Sequence, residues 1–227
     1  MIDMDVNATK FKKMISAVDS HTAGEPTRIV IGGIPNIPGR SIEEKMKYFQ
    51  KKLDYIRTLL MHEPRGHSGM YGSIITQPAT SGADIGVIFM NGKGYDDMCV
   101  HGSIGTVTVA IEMGILRPIN EVKIDTSAGL VTARVKLRNK VVETVSIQNV
   151  PSFLYKAGVK IDVPSVGRVL IDVSFGGNFF AIVNAKDLGV EVKPENEHEL
   201  IKLGLKIRDP ADRKVRVLHP EKSHINS

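Results

Sequence analysis

Two apolar runs, residues 14–18 and 27–31, flank the polar segment Asp19-Ser-His-Thr-Ala-Gly24, a pattern that predicts strand, turn, strand. Residues 32–39 hold three glycines and two prolines and read as a loop. Ser41 with Glu44 three residues later forms a capping-box signature. Beyond it Ile42, Met46, Phe49, Leu53, Ile56 and Leu60 recur at spacings of three or four, which predicts one helix stopped by Pro64 and Gly66. Strand signals follow at 72–77 and 84–90, with a turn at 78–82. The glycine-rich stretch 91–97 then leads into Met98-Cys-Val-His-Gly-Ser-Ile-Gly105 and a second helix, with Ile104, Val107, Val109 and Ile111 inward and Gly114 as the residue after its end.

From Glu121 onward the pattern turns to β, with alternation or β-branched runs at 122–125, 130–137, 141–148, 168–175 and 179–183. A second domain is expected to begin near Arg117, dividing the chain into 1–117 and 118–227. The polar stretch 193–198 opens a third helical pattern with Leu200, Leu203 and Ile207 on one face, and Pro210 is expected to close it. Asp19, Gly24, Ile29 and Val30 recur as Asp172, Gly177, Ile182 and Val183 at a constant offset of 153 residues, which also carries the helix start near Ser41 to the third helical pattern. Two copies of one α+β unit are implied. A counterpart of Cys99 would fall beyond Ser227, so the second copy is expected to be incomplete.

Composition narrows the classes. With 227 residues, 42% hydrophobic and 24% charged, the chain can bury a sizeable core. No apolar run is long enough for a membrane span, and residues 1–13 lack the apolar centre of a secretory signal, so a cytoplasmic location is expected. The net charge of +5 comes from lysines and arginines spread along the chain without tryptophan, which argues against nucleic-acid binding. One cysteine excludes an internal disulfide, and no metal-ligand spacing is present.

That cysteine is the main chemical candidate. Cys99 lies between a glycine-rich loop and a helix start, where unpaired amides and the helix dipole favour a thiolate, although an inert buried cysteine is the plain alternative. His101 can orient the thiol or donate to a carboxylate; Gly102, Ser103 and Gly105 leave room for a carboxylate to reach backbone amides, or simply pack helix on sheet. Tyr71 can wall a small pocket. His21 and Glu25 sit in the first turn and line the same cleft or serve as turn residues.

The segments Asp19-Ser-His-Thr-Ala-Gly-Glu-Pro-Thr-Arg28, Glu63-Pro-Arg-Gly-His67, Met70-Tyr-Gly-Ser73 and Met98-Cys-Val-His-Gly-Ser-Ile-Gly105 together resemble the proline racemase family. The resemblance continues through Asn149-Val-Pro-Ser-Phe-Leu-Tyr155 and Ser174-Phe-Gly-Gly-Asn-Phe-Phe-Ala181. It implies a diaminopimelate epimerase-like α+β fold of two pseudo-symmetric halves, each with strands wrapped around a central helix. It also implies a cofactor-independent racemase of proline, with a hydroxyproline epimerase or trans-3-hydroxyproline dehydratase as alternatives. In such enzymes two cysteines exchange protons on opposite faces of the α-carbon. Cys99 matches the first, Val100, His101 and Gly102 match substrate-contacting positions, and Tyr71 matches a pocket wall. The family has glycine where Val100 stands. Its second cysteine segment, similar to Asp-Arg-Ser-Pro-Cys-Gly-Thr-Gly, is not found before Ser227. The chain is therefore expected to need a complementary C-terminal chain for the two-thiol reaction, to form a homo-oligomer such as a dimer, or to be an inactive remnant or proline-binding module.

Overall fold

The computed structural model describes residues 13–226, so nearly all of the N-terminal stretch discussed above lies outside the described residues. The first unit ends at Gln148 and the second begins at Asn149.

In the first unit, β1 (Ser16–Thr22) and β2 (Glu25–Gly32) form a hairpin closed by Ala23 and Gly24. Both turn residues have positive φ, 51° and 96°, the geometry a two-residue hairpin needs to match strand twist. The turn is tighter than the sequence suggested, and the strands extend into it from both sides. Helices α1 (Ile42–Lys52) and α2 (Asp54–Met61) follow. They replace the single predicted helix, because Leu53 leaves helical geometry at φ −129°, ψ 10°, yet its apolar stripe stays continuous. The Ser41 hydroxyl accepts from the Glu44 amide at 3.1 Å, and the Glu44 carboxylate reaches back one residue further than expected, to the Arg40 N–H at 2.7 Å. Ile42, Phe49, Ile56, Leu60 and Met61 bury against one face of the sheet with Ile74, Ile88 and Met90.

The sheet continues with β3 (Tyr71–Thr76), β4 (Ile85–Asn91), the short β5 (Tyr95–Asp96), β6 (Glu121–Thr126), β7 (Gly129–Arg138) and β8 (Val141–Gln148). Its order is β1-β2-β3-β4-β6-β7-β8, with β5 paired to β4. The pairs β2–β3 and β4–β6 are parallel; the rest are antiparallel. Helix α3 (Val100–Glu112) packs against strands from both ends of this order, β1 and β2 as well as β7 and β8, so the sheet curls around it. That placement explains why α3 is buried on nearly every side: Gly102, Ser103, Gly105, Thr106, Val107, Val109, Ala110 and Ile111 are all covered. Strand β4, covered by α1 and α2 on one face and meeting α3 through Phe89 on the other, accordingly reads as an unbroken apolar run.

The pairing of β4 with β6 corrects the expected boundary at residue 117. Residues 118–148 belong to the first sheet, and the division falls at Gln148–Asn149.

The second unit holds β9 (Phe153–Val163), β10 (Gly167–Phe175) and β11 (Phe179–Ile182), an antiparallel sheet in the order β11-β10-β9, and α4 (Glu197–Lys214). Val159, Ile161, Val163, Val169, Ile171 and Val173 bury against Ile207, Ala211 and Val215. Pro210 does not end α4 as expected: it sits within the helix and is buried there, its ring part of the packed face. The hairpin β10–β11 answers the hairpin β1–β2 as the repeat predicts, with Asp19 and Asp172 in the first strand of each and Gly24 and Gly177 in the turns. The second turn is one residue longer, and a short 3-10 turn, Pro194–Asn196, precedes α4 where the offset places a helix start.

Among the described residues no helix is long and apolar enough to cross a membrane.

Candidate active site

Cys99 is the N-cap of α3, in extended geometry at φ −142°, ψ 112°, and makes no side-chain capping bond. The first-turn amides of α3 have no intrahelical partner, as at any helix start. The Cys99 carbonyl accepts twice, from the Ser103 amide at 2.9 Å and the Ser103 hydroxyl at 2.8 Å, which locks the residue to the helix. Ser103 thereby faces inward rather than toward a ligand.

The strands around α3 supply the walls. Directly paired residues on antiparallel strands, and residues two apart on one strand, share a sheet face. Tyr71 and Ser73 of β3, Phe89 and Asn91 of β4, and Asp96 of β5 are linked in this way through the pairs Tyr71–Asn91, Ser73–Phe89 and Phe89–Asp96. That face meets α3: the Ser73 and Thr106 hydroxyls are 2.7 Å apart, and the Tyr71 ring meets the His101 ring edge-on at 4.9 Å. His101 in turn approaches the Cys99 sulfur, with Nδ1 at 3.4 Å and Nε2 at 3.8 Å from Sγ. From β1, the Thr22 hydroxyl donates to the His101 carbonyl at 3.2 Å.

The glycines of the helix permit close approach. A Cβ at Gly102 would lie 3.0 Å from Sγ and 3.3 Å from the Phe89 ring; one at Gly105 would lie 2.8 Å from the Ser20 hydroxyl. Gly105 therefore lets α3 press on the first hairpin, and Gly102 keeps the sulfur and the ring in one small space. Val100 opens the helix and leaves its side chain exposed, without a positive φ.

The expected lowering of the Cys99 thiol is not what this environment produces. Burial pushes it up to about 11, and the charges of Asp96 and Glu25 add to the rise, while the nearby Gly102 amide opposes it. The macrodipole of α3 is outweighed by desolvation. In this state Cys99 is a thiol, a proton donor. Tyr71 is also held above the usual phenol range, by burial first and then by Asp96, Cys99 and Glu25. Burial raises Asp96 itself, which the Asn91 hydrogen bond opposes.

Cys99, Val100, His101, Gly102 and Tyr71 thus share one region of the first unit, and Glu25 joins them through its charge. His21 instead accepts from the Gly24 amide at 3.2 Å, serving the hairpin turn. Asp96 was missed by sequence reasoning. Its signal was an acidic residue three positions before the cysteine, within reach of the amide of Asn91. Among the described residues no group of three or more His, Cys, Asp or Glu side chains is placed to hold a metal ion.

A family model described as proline racemase matches residues 17–227. The proline racemase of Acetoanaerobium sticklandii is 52% identical over 222 residues, which cover 96% of this chain and 66% of that protein. The trans-3-hydroxy-L-proline dehydratase of Bacillus cereus is 43% identical over 214 residues, covering 93% of this chain and 64% of that one. A crystal structure of a hydroxyproline epimerase from Agrobacterium vitis, with bound trans-4-hydroxy-L-proline, aligns with a TM-score of 0.90 at 28% identity and covers 96% of this chain and 65% of its own. The chain spans about two thirds of the length of these relatives. With the match running from the first hairpin to the end of the chain, this protein belongs to the proline racemase family.

Proposed function

We propose that the protein moves a proton at the α-carbon of proline or a hydroxyproline, with Cys99 as one of two proton-transferring groups. The observation that carries this reading is a buried thiol at the tip of an enclosed helix, 3.4 Å from a histidine ring and beside a tyrosine. The relatives named proline racemase and hydroxyproline epimerase support the substrate class.

The α-proton of an amino acid is very weakly acidic, so a base alone is insufficient. The electron pair left by the proton must spread into the carboxylate, and donors fixed beforehand stabilise it there. The Val100 and His101 amides at the α3 N-terminus are suited to that work. A base on one face removes the proton while the Cys99 S–H delivers another to the opposite face, leaving a thiolate at Cys99 and a protonated base. The reverse direction restores both. Val100, exposed beside the sulfur, and the Tyr71 ring are the apolar surfaces offered to a pyrrolidine ring. The single cysteine of the sequence supplies one of the two proton-transferring groups, and a cytoplasmic homo-oligomer completes the proposal.

Incubation of the full-length protein with L-proline in D2O, followed by proton NMR and optical rotation, tests it. Exchange of the α-proton with loss of rotation is expected, and Cys99→Ser should lower the rate by about 10²–10⁴-fold, the usual contribution of a general acid–base group. Exchange unaffected by the substitution would remove Cys99 from the mechanism. Consumption of trans-3-hydroxy-L-proline with loss of water, and no racemisation, would assign the dehydratase reaction instead; binding of proline without exchange would make the protein a binding module.

A further inference from the structure

We propose that Asp96 is a positioning residue that keeps the proton on the Cys99 sulfur. The inference deepens the reading of Cys99 as a proton-transferring thiol and rests on it, but it concerns the ligand-free site and can be tested without turnover.

Three placements carry it. The first is register: Asp96 pairs directly with Phe89 on the antiparallel strand β4, so the two side chains share the face turned toward α3. The Phe89 ring and Sγ both lie within 3.3 Å of the same point, the position a Cβ would take at Gly102. The carboxylate therefore occupies the row of residues that borders the sulfur. The second is fixation: the Asn91 amide donates to Asp96 Oδ2 at 2.8 Å, while the Asn91 side-chain oxygen accepts from the Lys93 and Gly94 amides at 2.7 Å and 3.0 Å. Asn91 is thus clamped by its own turn and holds the carboxylate in one place. The third is the company: Tyr71, directly opposite Asn91 in the sheet, stacks edge-on against His101, whose Nδ1 lies 3.4 Å from Sγ.

The groups that face the thiol are Asp96 from β5, Glu25 from β2, Tyr71 from β3 and His101 from its own helix. Those that face Asp96 are Asp97, His101 and Asn91. A fixed anion next to a thiol makes the thiolate costly, so Asp96 retains the proton on the sulfur. The consequence for catalysis is a resting site in which Cys99 is the acid. An incoming carboxylate, held by the helix-tip amides, then meets a sulfur ready to give its proton to the α-carbon.

The sequence contains a single cysteine, so alkylation by iodoacetamide reports on Cys99 alone. Its second-order rate constant follows the thiolate fraction as pH rises. Asp96→Asn keeps an oxygen for the Asn91 amide and removes the charge; it should move the alkylation profile to lower pH and raise the rate at pH 7.5 by about threefold, the effect of half a pH unit. Asp96→Glu should restore a profile close to the wild type, and Glu25→Gln gives an independent shift in the same direction. An alkylation profile unchanged in Asp96→Asn, with circular dichroism intact, would overturn the proposal. Failure of α-proton exchange in the wild type with the alkylation shift present would instead discard the racemase reading and leave the role of Asp96 standing.

Discussion

At the residue scale, Cys99 shows how a correct location can carry a wrong charge. The sequence places the cysteine at a helix start, and dipole and amides there argue for a thiolate. What a linear chain does not display is how completely α3 is enclosed: only 9% of Cys99 is exposed, and desolvation dominates. The raised thiol has a consequence for stability. The native state keeps this proton to about pH 11, whereas an unfolded chain releases it near the ordinary thiol value of about 8.5, so the contribution is whole below that value and disappears as pH climbs through the native one. The stability difference between wild type and Cys99→Ala, measured by urea unfolding, should therefore shrink by about 3 kcal/mol between pH 7 and pH 11. A difference that stays constant would mean that the thiol is not raised. His101 and Tyr71 were offered as candidates by their motifs, whereas their edge-on contact was not legible, since it depends on a register between β3 and β4 that only the fold sets.

Among the elements, the capped start of α1 was legible in the sequence, whereas β9 and the end of α4 were not. Helix α1 announces itself through Ser41 and Glu44, and the cap is present. As a partly exposed helix it relies on that bond: Ser41→Ala should cost about 1 kcal/mol and lower the melting temperature, while Ser41→Asp should retain most of it. An unchanged melting temperature in Ser41→Ala would show that burial of Ile42 and Phe49 holds the helix start unaided. Helix α3 is the contrasting case, with no side-chain bond at its cap and burial along its length. Strand β9 went unread because Ala157 and Gly158 interrupt it. Gly158 takes φ +64° near a register shift against β10, and the alternation of Val159, Ile161 and Val163 resumes only beyond it. Pro210 misled in the opposite sense. A proline marks a helix end by its missing amide, yet packing of Ile207, Pro210 and Ala211 carries α4 onward to Lys214.

At the scale of the molecule, the internal repeat was the most informative feature of the sequence, because it linked two hairpins that share only four identities and located the start of α4. The division between units was misplaced for a related reason: the change to a β-rich pattern at Glu121 marks more strands of the same sheet, not a new core. The two sheets also differ in how they are covered. The first encloses α3 on one face and carries α1 and α2 on the other, whereas the face of the second unit opposite α4 leaves Leu154, Leu170, Phe180 and Ile182 more than half exposed. These four share one face through the pairs Leu154–Ser174, Ser174–Phe180 and Asp172–Ile182. Contiguous apolar side chains on an open sheet face favour association of one copy with another. The weight-average mass of the chain in sedimentation velocity should accordingly rise with concentration, and Phe180→Lys combined with Ile182→Lys should abolish the rise while circular dichroism stays the same. Since both substitutions lie on the side away from the core formed with α4, they test the open face without disturbing the packing that folds the unit. Association that persists in the double variant would assign it to another surface.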